Sequence, residues 1–211
     1  SMSLDGYVAG PNQSEENPIG EGGMQLHEWV FGLESWRKAH GDEGGATNAS
    51  NAVVEEAQAN VGATIMGRNM FGGGTGPWGD DPWNGWWGDD PPFHTPVYVL
   101  THHAREPLTM QGGTTVHFVT DGIESALEQA QEAAGDTDVA LGGGASTIQQ
   151  YLRAGLVDAM ELNVIPVLLG AGERLLDNLD GADIEFEPTR VIEAPGVAHL
   201  AYNVGKRASA S

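Results

Sequence analysis

The 211 residues carry 30 acidic against nine basic side chains, a formal net charge of −21, with 40 % apolar content and no cysteine. That balance fits a globular domain with a sizeable core and excludes disulfide frameworks and thiolate chemistry, while the scattered bases offer no stripe for a phosphodiester backbone or an anionic membrane. No run of 18 apolar residues occurs, and the first residues lack the basic and apolar regions of a signal peptide, so the expected setting is the cytoplasm.

In chain order, "SLDGYVAG" (3–10) reads as a strand running into a loop at Gly10-Pro11, and residues 11–23 as a Gly/Pro/Asn-rich loop. Leu26, Trp29, Val30 and Leu33 recur with helical period, and Val53, Val54, Ala57 and Val61 predict a second helix leading into the strand "ATIMG" (63–67). From Phe71 to Pro92 the chain is dominated by Gly, Pro, Asp and Trp. Its tryptophans (Trp78, Trp83, Trp86, Trp87) predict an ordered loop with aromatic anchors on the body, a partner subunit or a ligand.

"TPVYVLT" (95–101) and "TTVHFVT" (114–120) are β-branched, aromatic-rich strands. Asp121 and Glu124 have capping-box spacing before a helix with Ile123, Ala126, Leu127, Ala130 and Ala134 on its apolar face. "DVALG" (138–142) predicts a short buried strand. After it Ser146 and Gln149 repeat the capping spacing, and Gly155 is a natural stop. "AMELNVIPVLLG" (159–170) alternates until Pro166, and residues 182–205 read as two antiparallel strands around Pro195-Gly196. Strands alternating with helices predict a three-layer α-β-α domain with a mixed sheet.

The chemistry concentrates where strands end. "GGGAST" (142–147) fails the G-x-G-x-x-G fingerprint because Thr147 holds the sixth position, and no Gly-Lys-Ser/Thr follows as in a P-loop. What remains is a buried strand entering a glycine turn that opens a helix. Such a turn is either a backbone corner needing positive φ or a cradle of free N–H groups for an anion. "TIMGRNMF" (64–71) repeats the pattern with Arg68, whose fork can grip a phosphate, and "VYVLTHH" (97–103) ends a third strand in polar residues. Three such strand ends are where an open α/β sheet places its ligand. His102-His103 could be half of a metal site, but the other histidines lack i, i+4 spacing and no metal is expected. No G-x-S-x-G elbow exposes a serine, and the paired aspartates 80–81 and 89–90 read as solvated loop charges.

"SMSLDGYVAG", "IMGRNMF", "VYVLTHH", "DVALGGGAST" and "LNVIPVLLGAGERLL", in this order across nearly the whole chain, resemble the dihydrofolate reductase-like superfamily. The closer resemblance is to its branch holding the reductase domain of bifunctional riboflavin-biosynthesis deaminase-reductases and stand-alone relatives. It implies a mixed, mostly parallel sheet closed by an antiparallel C-terminal pair, in one domain over 1–211 with an insertion at about 72–92. It also implies NADPH as hydride donor, a planar heterocyclic substrate (pteridine-, pyrimidine- or flavin-like) and a possible homodimer. Carried across by motif, Gly67, Arg68 and Asn69 would lie at the adenosine end, with Arg68 on the 2′-phosphate and Thr101 and His102 nearby. Leu141, Gly142, Gly143, Gly144, Ala145, Ser146 and Thr147 would line the diphosphate and nicotinamide side. Ser3 to Gly6 would border the reacting ring, with Asp5 and Glu28 as candidate proton donors. The alternative implied is a nucleotide- or flavin-binding protein of this fold without turnover.

Overall fold

The computed structural model describes residues 1–206. Its elements run β1 (Met2–Ser3), β2 (Tyr7–Ala9), α1 (Glu28–Phe31), α2 (Glu34–Ala39), α3 (Ala49–Ala59), β3 (Val61–Gly67), α4 (Arg68–Phe71), β4 (Pro96–Leu100) and β5 (Leu108–Thr109). They continue with β6 (Thr115–Val119), α5 (Ile123–Ala134), β7 (Asp138–Gly143), α6 (Ala145–Ala154), β8 (Ala159–Ile165), β9 (Glu173–Arg174), β10 (Ile184–Ala194) and β11 (Val197–Lys206). The chain divides into two units, Ser1–Glu56 with the segment from Ile148 onward, and Ala57–Thr147. The boundaries fall inside α3 and α6.

In the Ala57–Thr147 unit a five-stranded sheet has the order β5-β6-β4-β3-β7. β6, β4, β3 and β7 are parallel, and β5 is antiparallel at the edge. The central strands β3 and β4 are buried, which is why "ATIMG" and "VYV" are mostly apolar. β7 at the edge is half-buried with Asp138 and Gly142 exposed, so the buried strand expected over 138–142 is corrected. Ala126, Ala130 and Ala134 of α5 are buried, and their small side chains let the helix sit close to its neighbours. Elsewhere in this unit Met66, Phe71, Val97, Val99 and Val116 form a cluster, with Trp78, Trp83, Trp87, Phe93 and Phe118 packed on it. Full burial of a side chain such as Phe71 contributes about 1.5–3 kcal/mol. The tryptophan-rich insertion therefore packs on the body of its own unit.

In the other unit β1, β8, β11 and β10 make a four-stranded sheet, β1 parallel to β8 and the rest antiparallel, with a two-stranded ladder of β2 and β9 beside it. Leu26, Ile165 and Val197 are its buried cluster, joined by Trp29, Val167, Leu169 and Ala194. The terminal hairpin turns at Pro195-Gly196 as expected, and β8 ends one residue before Pro166, whose missing N–H cannot extend the ladder.

Four local expectations are corrected. The opening strand is split in two, because Gly6 turns at φ +88° and its N–H bonds back to Ser3 O. The helix expected over Leu26–Leu33 is a 3-10 turn (Gly23–Leu26) followed by α1. Leu33 is extended, and the Gly32 carbonyl accepts Ala46 N–H from the following loop. Leu26, Val30 and Leu33 are nonetheless buried, so the periodicity reported burial correctly and continuity wrongly. The two capping boxes do not form. Gly122, with no side-chain cap, precedes α5. Ser146 lies inside α6, and Gln149 Nε2 donates instead to the carbonyls of Arg174 and Leu175, 2.8 and 3.2 Å away.

Candidate functional site

The C-terminal ends of β4, β3 and β7 come level at one edge of their sheet. Gly67 pairs with Leu100, and Met66 pairs with Gly143. The β3–β7 register slips between Ile65 and Met66, so Gly142 is an extra residue on β7, exposed in a bulge. β3 runs directly into α4, and β7 into α6 through Gly144 alone.

The glycines at this edge have different reasons to be glycine. Gly67 is extended (φ −83°, ψ 160°), and a Cβ there would overlap the hydroxyl of Thr147. Thr147 is 4 % exposed, so its side chain fills the space above Gly67 and is not presented to a ligand, contrary to the expected lining role. Gly143 has φ +122°, a conformation L side chains rarely adopt, and a Cβ would stand 3.2 Å from Met70 Sδ. The Gly143–Gly144 peptide is cis. Gly144 has no positive φ, and a Cβ on it would meet nothing within 4 Å. Neither conformation nor packing requires glycine there. Its missing side chain leaves open the approach to the first turn of α6, the positive end of the helix, where Thr147 N–H donates to Gly144 O at 3.1 Å. Ala145 is buried, Ser146 exposed and Leu141 half-buried beside it.

Arg68 departs most from expectation. Its two terminal nitrogens donate to the carbonyls of Gly72 and Gly73, the latter at 2.8 Å. Its guanidinium lies 3.4 Å from the centre of the Trp78 ring, and the residue is 7 % exposed. In this conformation Arg68 closes its own loop and does not offer a fork to a phosphate. Burial, and then the charge of Arg105, lowers its pKa. Trp83 Nε1 donates to Phe71 O, Trp86 Nε1 to Met70 O and Trp78 Nε1 to His103 O, between 2.8 and 3.0 Å. Indoles give both an apolar body and a donor. Trp78 and Trp83 pack on the apolar cluster, Trp83 and Trp86 cap the last carbonyls of α4, and Trp78 ties down the turn after β4. Asn69 is exposed. Thr101 is buried, its hydroxyl accepting His103 N–H at 3.2 Å, and His102 is exposed beside it.

Asp5 and Glu28 lie in the other unit. Asp5 accepts hydrogen bonds from the Ser3 hydroxyl at 2.5 Å, Leu169 N–H at 3.2 Å and Gly170 N–H at 2.7 Å. The Ser3 hydroxyl is the largest influence, ahead of the Gly170 and Leu169 amides, and together they hold its pKa at about 2. Its carboxylate thus anchors the 168–170 loop. Glu28 is exposed on the single turn of α1.

A polar group that the sequence did not suggest sits in this same unit. His199 is buried between Asn163 Oδ1, 2.6 Å from Nδ1, and the Ser50 hydroxyl, 2.9 Å from Nε2. Because an amide oxygen only accepts, Nδ1 carries the proton and Nε2 accepts from Ser50. The partners are far apart in sequence, and no local pattern announces them. Among the described residues there is no group of three or more His, Asp or Glu side chains placed to hold a metal, and no helix long and apolar enough to cross a membrane.

A protein-family model described as "RibD C-terminal domain" matches residues 1–194. Among curated proteins the chain is 27 % identical over 120 residues to the uncharacterized protein YyaP of Bacillus subtilis (strain 168). That match spans 54 % of this chain and 63 % of YyaP, just under two thirds of the relative's length. Among solved structures it is similar to a putative riboflavin biosynthesis protein from Shewanella sp. PV-4 (TM-score 0.63, 21 % identity, 97 % of this chain and 96 % of that one). It is also similar to a deaminase/5-amino-6-(5-phosphoribosylamino)uracil reductase from Thermotoga maritima (TM-score 0.51, 13 % identity, 96 % of this chain and 54 % of that one). At these identities the structures establish a shared fold, a mixed α/β domain with a mostly parallel sheet.

Proposed function

Because the chain belongs to the RibD C-terminal domain family, we propose that it is an NADPH-dependent reductase of a planar heterocycle, pteridine-, pyrimidine- or flavin-like. The observation that carries this reading is Gly144, a glycine that neither backbone nor packing demands, at the mouth of a helix start and beside two further strand ends. The glycine turn 142–144 beside the start of α6 would take the diphosphate of a dinucleotide, since the absence of Cβ atoms lets such a group approach the backbone. Thr101, His102 and Asn69 would bound the adenosine end. NADPH, when bound, supplies the hydride, and the chain's contribution is orientation and exclusion of water. Asp5 keeps its charge and so orders the 168–170 loop. The proton that accompanies the hydride comes from a bound water or a carboxylate such as the sequence candidate Glu28.

The test is fluorescence titration of wild type and Gly144→Ala with NADPH, NADH and flavin mononucleotide. The variant should unfold at the wild-type temperature and bind NADPH about tenfold more weakly, the effect of a methyl group in a cradle built for backbone contact. Unchanged binding by the variant, or no binding by the wild type, removes the reading. A second reading, nucleotide or flavin binding without turnover, is favoured by Asp5 being engaged by the Ser3 hydroxyl and the Leu169 and Gly170 amides. Tight NADPH binding without oxidation across a heterocycle panel would select it.

The same reading makes the protein a cytoplasmic homodimer. Paired side chains of an antiparallel ladder share a face, and Val191, Leu200 and Leu162 are such a row, with Val191 70 % exposed. Light scattering would register its loss of dimer in Val191→Glu.

A further inference from the structure

In a chain this acidic an arginine readily finds a carboxylate. Arg37, Arg174 and Arg190 each have one within 4.0 Å, and Arg190 has two. Arg68, Arg105 and Arg153 have none within that distance among the described residues. Arg153 is exposed to solvent, whereas Arg68 is buried and Arg105 half-buried, both in the Ala57–Thr147 unit. Arg68 donates to two glycine carbonyls, and Arg105 to Trp83 O and to Asn84 Oδ1 at 2.5 Å. All four acceptors are neutral.

The two cations are neighbours through one ring. The Arg105 guanidinium carbon is 4.8 Å from the Trp78 ring centre and 5.0 Å from that of Phe118, while Arg68 stacks on Trp78 at 3.4 Å. An indole face attracts a cation but does not neutralise it. Two like charges held together and partly desolvated therefore carry an uncompensated cost. Arg68 Nε is moreover fully buried with no partner, although the residue is more than nine-tenths buried. A cation pair of this kind is completed by an anion arriving from outside. The pair lies beside the ends of β3 and β4, since Arg68 follows Gly67 and Arg105 follows the Thr101–His103 turn.

Which arginine meets the anion follows from burial. Both arginines donate through both terminal nitrogens, so burial alone separates them: Arg68 is 7 % exposed beneath Trp78. Arg105 is half-buried, and both its anchors, Trp83 and Asn84, belong to the insertion. We propose that Arg105, not Arg68, is the specificity-determining residue that reads a phosphate monoester on the adenosine ribose of the cofactor, and that Arg68 is a positioning residue. Arg68 ties the insertion through Gly72 and Gly73 and holds Trp78, which in turn places Arg105. The inference rests on the nicotinamide reading above for the identity of the ligand. The insertion thereby acquires a purpose, supplying the ring and the acceptors that hold the reading guanidinium.

The experiment is calorimetric titration of the full chain with NADPH, NADH, 2′,5′-ADP and 5′-AMP, for wild type, Arg105→Ala, Arg105→Lys and Arg68→Lys. Loss of one charge-assisted contact to a phosphate corresponds to roughly 10- to 100-fold. Arg105→Ala should lose that factor for NADPH and 2′,5′-ADP and stay within twofold for NADH and 5′-AMP, with Arg105→Lys in between. Arg68→Lys should weaken NADPH and NADH alike and red-shift tryptophan emission as Trp78 loses its stack. The inference is overturned if Arg105→Ala keeps the wild-type preference, or if Arg68→Lys abolishes it with emission unchanged. NADPH binding with a preference indifferent to Arg105 leaves the reductase reading standing alone. Arg105-dependent binding of 2′,5′-ADP without binding of either dinucleotide leaves this inference standing alone. No binding of any of the four overturns both.

Discussion

Replacing Gly67 by alanine tests the packing on which the candidate site is built. The backbone there is extended, so alanine meets no conformational penalty. The cost is steric: the new Cβ falls well under the 3.0 Å that real Cβ atoms keep from Thr147 Oγ1, while Thr147 Cβ is 3.6 Å away. Thr147 is buried near the start of α6, where few rotamers are open to it. Overpacking of this kind costs about 1–3 kcal/mol, offset by about 0.4–1 kcal/mol from the stiffer unfolded chain. A net loss of about 1–2 kcal/mol lowers Tm by roughly 2–8 °C in a protein of this size. Thr147→Ala removes the clashing oxygen and leaves the 3.6 Å contact, which is ordinary. The double variant should therefore be more stable than the sum of the single changes by about 1–2 kcal/mol. Thermal and urea unfolding followed by tryptophan fluorescence supply the cycle. Additive single and double variants, or a Gly67→Ala protein as stable as wild type, would refute the reasoning.

Asp5→Asn should remove the charge-assisted capping of the Leu169 and Gly170 amides. Because the folded pKa is depressed from 3.8 to about 2, the carboxylate stabilises the fold fully above about pH 4, and that contribution fades as pH falls toward 2. Urea midpoints across that window should show the gap between wild type and variant closing; a gap independent of pH would contradict the assignment. Ser50→Ala leaves the buried Nε2 of His199 without its donor and should cost about 1–3 kcal/mol. Nitrogen chemical shifts of His199 should report the Nδ1–H tautomer in wild type, and the opposite tautomer would sink this account.

The legible part of the candidate site was its backbone. Gly67, Thr101 and Gly142–Gly144 stand at strand ends because apolar β-branched runs stop at glycine or polar residues, and that signal lies within a few positions. Of the two readings of the glycine triplet, the structure bears on the turn. Gly143 is the turn, with positive φ, and Gly144 faces open space. The helix over Leu26–Leu33 was misread because periodicity marks the buried face of a segment without knowing that Gly32 will pair with Ala46. The capping boxes failed for a related reason: Gln149 had better acceptors 25 and 26 residues away than at its own helix start.

By itself the sequence determined the alternation of strands and helices, the antiparallel C-terminal hairpin at Pro195-Gly196, and the strand ends at which the glycine turns stand. These follow from side-chain period, from proline's missing N–H and from glycine's freedom, all local properties. Only the tertiary structure decided what the charged and polar side chains do. Arg68 turned inward because Trp78 and two glycine carbonyls were brought over it. Asp5 became a fixed anion because the amides of Leu169 and Gly170 came to it across 164 and 165 positions of chain. A side chain's partners are set by which distant segments the fold makes neighbours, and burial then makes those partnerships obligatory.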